Sequence, residues 1–152
     1  MCHSEEASLS RTELEKLFEN KGEAINYIFL TDLHYGSGSP EQSCAIKEQV
    51  EASANIANTV DEIDFIVIGG DVTTGMFSSK SDALKYTREA LSPLKSCKKP
   101  VFILMGNHDD NSYHRYREGV YHPDRILSDK DWCDGILEEF CPEKMVHDGI
   151  YP

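Results

Sequence analysis

Paired cysteines are missing from this sequence: its five cysteines, at positions 2, 44, 97, 133 and 141, are odd in number and include no Cys-x-x-Cys spacing. That argues against a disulfide framework or a zinc ribbon and reads the thiols as reduced, buried or incidental, in a cytoplasmic setting. Basic segments are missing too. Residues 1–24 carry 6 acids against 3 bases, 25–108 carry 10 against 7 and 109–152 carry 11 against 5, for a formal net charge of −12. Long polyanions meet a repulsive surface, so nucleic acid is a disfavoured partner, while a small anionic substrate recruited by metal stays allowed. No apolar run approaches membrane-spanning length, and Met1 to Gly22 has no apolar core of a signal peptide. The expectation is a soluble chain with no membrane partner.

What is present suits one globular domain: 152 residues, 39% of them hydrophobic and 28% charged. Three apolar, strand-like runs each stop on polar residues. Ile25 to Thr31 runs into Asp32-Leu33-His34, Phe65 to Ile68 into Gly69-Gly70-Asp71, and Val101 to Met105 into Gly106-Asn107-His108-Asp109. Between them lie helical patterns, one from Glu41 to about Val60 with Ile46, Val50, Ala57 and Val60 in phase. The other carries Leu84, Thr87, Leu91 and Leu94, with Ser81 as its expected cap and Pro93 as its end. The order β-α-β-α-β predicts parallel neighbouring strands, with Phe65 to Asp71 central and all three polar ends on one edge of the sheet.

Outside that unit the signals thin out. Residues 1–24 read as an N-terminal helical extension, with Ser10 and Glu13 as a capping box, Leu14, Leu17 and Phe18 on one face and Asn20-Lys21-Gly22 as a stop. Residues 111–131 show little periodicity, Trp132 to Phe140 reads as a helix, and Met145 to Pro152 reads as the start of another strand.

The strand ends carry the chemistry. Asp32 and His34, two apart, can be aimed at one ion, and a carboxylate with an imidazole suits Mn, Fe or Zn better than calcium. The plain alternative is a turn aspartate beside a surface histidine. Asp71 after two glycines can bridge two metals, yet Gly-Gly-Asp also makes an ordinary strand-ending turn. In Gly-Asn-His-Asp, Asn107 can ligate, His108 can donate a proton to a leaving oxygen and Asp109 can orient the imidazole. Against this stands a helix cap by Asn107 or Asp109, which would not need the histidine.

Taken together, Asp32-Leu33-His34, Gly69-Gly70-Asp71 and Gly106-Asn107-His108-Asp109 resemble, in order and at strand ends, the first three signature blocks of the calcineurin-like metallophosphoesterases. The resemblance spans residues 25–109. It implies an α/β fold in which residues 25–152 form part of a four-layer α/β/β/α sandwich, and hydrolysis of phosphate mono- or diesters at a centre of two divalent ions, with Mn, Fe, Zn and Mg all open. It places Asp32 and His34 on the first ion, Asp71 between both and Asn107 on the second. His108 becomes the general acid and Asp109 its supporting partner, and water rather than a side chain attacks.

The family's later Gly-His and Gly-His-x-His blocks do not occur in this sequence, and His3, His114, His122 and His147 read as surface or loop residues. The expectation is therefore an N-terminal portion of a longer protein, with weak or mononuclear metal binding and with sheet surface left open to self-association. A non-catalytic binding or assembly module is the alternative, and a nuclease is disfavoured by charge.

Overall fold

The computed structural model describes residues 24–36 and 38–141, with Thr12 and Lys16 ahead of them. The expected capping box at Ser10 and Glu13, the face of Leu14, Leu17 and Phe18, and the strand from Met145 lie outside the described residues.

Three short strands, β1 (Tyr27–Leu30), β2 (Phe65–Ile68) and β3 (Val101–Ile103), form a parallel sheet in the order β1-β2-β3. Register pairs Leu30 with Ile68 and Ile68 with Ile103, so all three strands end level at one edge. This is the predicted topology, with β2 in the centre. Helix α1 (Pro40–Thr59) joins β1 to β2, and α2 (Lys80–Leu91) followed by a 3-10 turn (Ser92–Ser96) joins β2 to β3.

The connecting helices start where the sequence offers caps. Ser39 and Gln42 form a reciprocal capping box at α1, with Pro40 inside the first turn, where its missing N–H costs nothing. At α2 the cap is Ser79, not the expected Ser81. Ser79 has an extended backbone and its hydroxyl accepts from Asp82 N at 3.0 Å, and the Ser-x-x-acid spacing that stabilises such a start runs 79 to 82. The α-helix stops at Leu91 and the chain tightens to 3-10 geometry around Pro93, as the proline requires.

One sheet face is the core. Ile66 and Ile68 are fully buried there and Val101 and Ile103 nearly so, packed with Val50, Ala54 and Ala57 of α1 and Ala83, Ala90 and Leu91 of α2. Small residues at these helix positions let both helices sit close to the sheet. A second helical layer follows β3: α3 (His114–Glu118), a 3-10 turn (Pro123–Arg125), then α4 (Asp129–Trp132), a π turn (Cys133–Leu137) and α5 (Glu138–Phe140) end to end. It buries Trp132 and Ile136 and is tied to α2 by Lys80–Asp131 at 2.7 Å and Arg88–Glu139 at 3.1 Å. His114, expected on the surface, is buried at 2% exposure with Nδ1 against Asn111 O at 2.9 Å. The short α3 turns its ring inward, which no periodicity in so brief a segment could have signalled.

The other sheet face carries an aromatic row across all three strands. Tyr27 stacks on Phe65 at 5.2 Å, and Phe65 meets Phe102 edge-on at 5.4 Å. Yet Tyr27 and Phe29 are each 54% exposed and Phe102 41%. The two faces should therefore respond differently to truncation. Ile66→Ala, at a fully buried site, is expected to cost about 3 kcal/mol and Phe102→Ala less than half as much, by urea unfolding of both variants. Equal losses would mean that the aromatic face is also packed.

Candidate metal centre

The parallel ladder does not stop where the strands do. Asp32 N donates to Gly70 O at 3.1 Å, His34 N to Asp71 O at 3.0 Å and Tyr35 N to Val72 O at 2.8 Å, and Tyr35 bridges Thr73. The loops after β1 and β2 thus run side by side, which carries Asp32 and His34 up to Asp71. The third loop is brought in by Asp71 itself, whose Oδ1 accepts from His108 N at 2.9 Å.

That approach needs glycine. Gly70 holds φ +94°, and a Cβ there would sit 2.7 Å from Gly106 N, while a Cβ on Gly106 would strike the Asp71 backbone and carboxylate. Three non-glycine residues at the same edge are also left-handed: Asp32 at φ 55°, His34 at 50° and Asp71 at 51°. Such backbone is uncommon outside glycine and concentrates at functional sites, because only a site that over-determines its geometry holds it.

The result is a cluster. His34, Asp71 and His108 each offer a ligand atom within 4.8 Å of the others, and all three are half-buried. Asp32 adjoins them, its Oδ1 3.7 Å from His34 Nε2 and its other oxygen accepting from Thr31 Oγ1 at 2.9 Å. Asn107 sits on the exposed side of the third loop. Two imidazoles, a bridging-capable carboxylate, a neighbouring carboxylate and a carboxamide suit Mn, Fe or Zn, so the donor set fits a divalent metal.

The imidazole of His108 is oriented, though not as expected. Its Nδ1 lies 2.9 Å from Thr74 O, and its ring stacks on Tyr113 at 4.0 Å and meets His34 edge-on at 4.7 Å. A carbonyl can only accept, so Nδ1 carries the proton and Nε2 is the reactive nitrogen. Asp109, expected to orient this ring, instead accepts from Thr73 N and Gly106 N, both at 3.0 Å, and from the Thr73 hydroxyl at 3.4 Å. A side chain one residue on from His108 points to the opposite side of the loop, so it braces the backbone behind the cluster. Thr74 and Tyr113 had no sequence signal, since one acts through its carbonyl and the other through a ring 5 residues away.

The whole segment Val72 to Gly75, a small polar loop by composition, is buried. Asp109 is fully buried beneath it, and desolvation raises its pKa to about 6, against the lowering effect of the amides of Gly106 and Thr73 and with the Asp71 charge adding to the rise.

A family model for calcineurin-like phosphoesterase matches residues 25–144. The chain belongs to that family. No curated protein and no solved structure matches it. Family and cluster together support a phosphoesterase function. Among the described residues no helix is long and apolar enough to cross a membrane.

Two outcomes follow from this geometry. Asp71→Asn is expected to abolish manganese binding in isothermal titration calorimetry, and unchanged affinity would remove Asp71 from the centre. The unfolded-state pKa of an aspartate is about 3.9, below the folded value of Asp109, so the folded chain holds a proton that the unfolded chain releases. The stabilisation is complete below pH ~4 and is lost as pH rises through about 6. In chelator, the stability difference between wild type and Asp109→Asn should shift against wild type across that window. A pH-independent difference would contradict the assignment.

Proposed function

We propose that this centre hydrolyses phosphate mono- or diesters with two divalent ions, Asp32 and His34 serving the first, Asp71 both and Asn107 the second. The observation that carries this reading is the convergence of His34, Asp71 and His108 on one point, held by left-handed backbone at two of the three. Divalent ions bound there would neutralise phosphoryl charge and lower the pKa of the attacking water.

The chain's own residues supply the rest. Thr74 O fixes the His108 tautomer, and Tyr113 limits the ring's rotation, so Nε2 is poised to protonate the leaving oxygen when the imidazole is charged. Asp71 holds the third loop through the His108 amide, which keeps the proton donor at a fixed distance from the ligand carboxylate. Asp109 excludes water from beneath by binding the loop backbones.

Turnover of an aryl phosphate monoester or diester with added manganese tests the activity, and no turnover of either would sink it. His108→Ala separates its two roles. As the acid, its loss lowers kcat by about a hundredfold or more and leaves manganese affinity intact. A loss of affinity as large as that of Asp71→Asn would make it a ligand instead.

A second reading, an assembly module, is favoured by the aromatic sheet face. Ile25, Tyr27, Phe29, Phe102 and Leu104 are 40–75% exposed. At roughly 200 Å² per large side chain, two copies packed face to face would bury on the order of 1,000 Å², about the threshold for a specific interface. Light scattering on the wild type and on a Phe29→Glu, Phe102→Glu double variant tests it, and a monomeric wild type would reject it.

A further inference from the structure

Beside the cluster, on the Asn107 side, lies a cavity of about 470 Å³. Met105, Leu127 and Trp132 give it apolar wall, and Asn107, Asp110 and Asp129 give it polar wall. Gly106 also lines it, and Gly106 is the residue packed against the Asp71 carboxylate. The cavity and the centre therefore share the third loop, whose Asn107 lines the cavity and is followed by His108.

Its chemistry is one-sided. Two carboxylates line it and no lysine or arginine does. Asp110 keeps its orientation through Oδ1, which accepts from Ser112 N at 2.7 Å, and Asp129 stands in the exposed first turn of α4. A second phosphate or a carboxylate in the leaving group would be repelled here, whereas a short ammonium-bearing alcohol would meet opposite charge and apolar wall together.

Resting on the hydrolase reading above, we infer that the cavity is the leaving-group subsite and that it selects phosphate esters of amino alcohols. The selection is exerted by Asp129 and Asp110 on the ammonium, with the half-buried Met105 beside the carbon chain.

Trp132 is the single tryptophan of the chain, so its emission reports the cavity directly. The full chain with manganese is titrated with phosphoethanolamine, glycerol phosphate and inorganic phosphate, and emission is followed. Phosphoethanolamine is expected to saturate the change at about fivefold lower concentration than glycerol phosphate, and Asp129→Asn to remove that difference. Equal affinities, the reverse order, or a preference that survives Asp129→Asn would overturn the subsite. If aryl phosphates turn over while the preference is absent, only the subsite fails; if no ester turns over and inorganic phosphate gives no response, the hydrolase reading fails with it.

Discussion

Everything at this centre depends on a parallel register that is kept after the strands have ended. Beyond Leu30 and Ile68 the two chains still exchange backbone hydrogen bonds, Asp32 to Gly70, His34 to Asp71 and Tyr35 to Val72. Keeping those bonds while turning side chains toward a common point forces Asp32, His34 and Asp71 into left-handed backbone, at a cost of order 1 kcal/mol each. The bonds offset that cost, and the residues of the candidate centre inherit positions set by main chain rather than by their own flexible side chains. Such a site is organised before anything binds, and preorganisation of this kind is a general source of affinity and orientation.

A second tier holds the first. Asp109 joins the loop after β2 to the loop after β3 by taking the Thr73 and Gly106 amides, and Asn111 repeats the device further out. The Asn111 side chain accepts from Phe77 N at 2.7 Å and donates to Phe77 O and Arg125 O. Both are fully buried, and each satisfies backbone groups that would otherwise be stranded away from water. Within the buried loop from Val72 to Gly75, Asp109 takes the Thr73 amide, Tyr35 N donates to Val72 O and His108 Nδ1 pairs with Thr74 O, while Asn111 serves Phe77 just beyond it.

The strands, both long helices and the order of the sheet were legible in the sequence, because apolar period and glycine punctuation are local signals. That Asp32, His34, Asp71 and His108 gather at one edge was legible for a related reason: each lies two to five residues past a strand end, and parallel topology leaves strand ends little freedom of place. What was not legible lies in partnerships across the chain. That Thr74 and not Asp109 faces the His108 ring depends on which way the third loop turns, and sequence adjacency points to the wrong neighbour. The cap at Ser79 rather than Ser81 turned on an acid three residues on, a local signal that the apolar pattern alone obscured. His114 shows the limit most plainly, since a five-residue helix has too few positions to declare a buried face.

The two faces of the sheet divide the molecule's tasks. Parallel strands are ordinarily covered on both sides, and among the described residues helices cover only the side of Ile66, Ile68 and Ile103, with Tyr27, Phe29 and Phe102 exposed. The bonds that place the side chains of the candidate centre belong to the loops at the strand ends, and the core beneath those loops is the covered one. The geometry of His34, Asp71 and His108 is therefore set without reference to whatever meets the aromatic row. Chemistry at the edge and association through the face are separable properties of one small sheet, joined only through the stiffness of β2, whose residues point alternately at both.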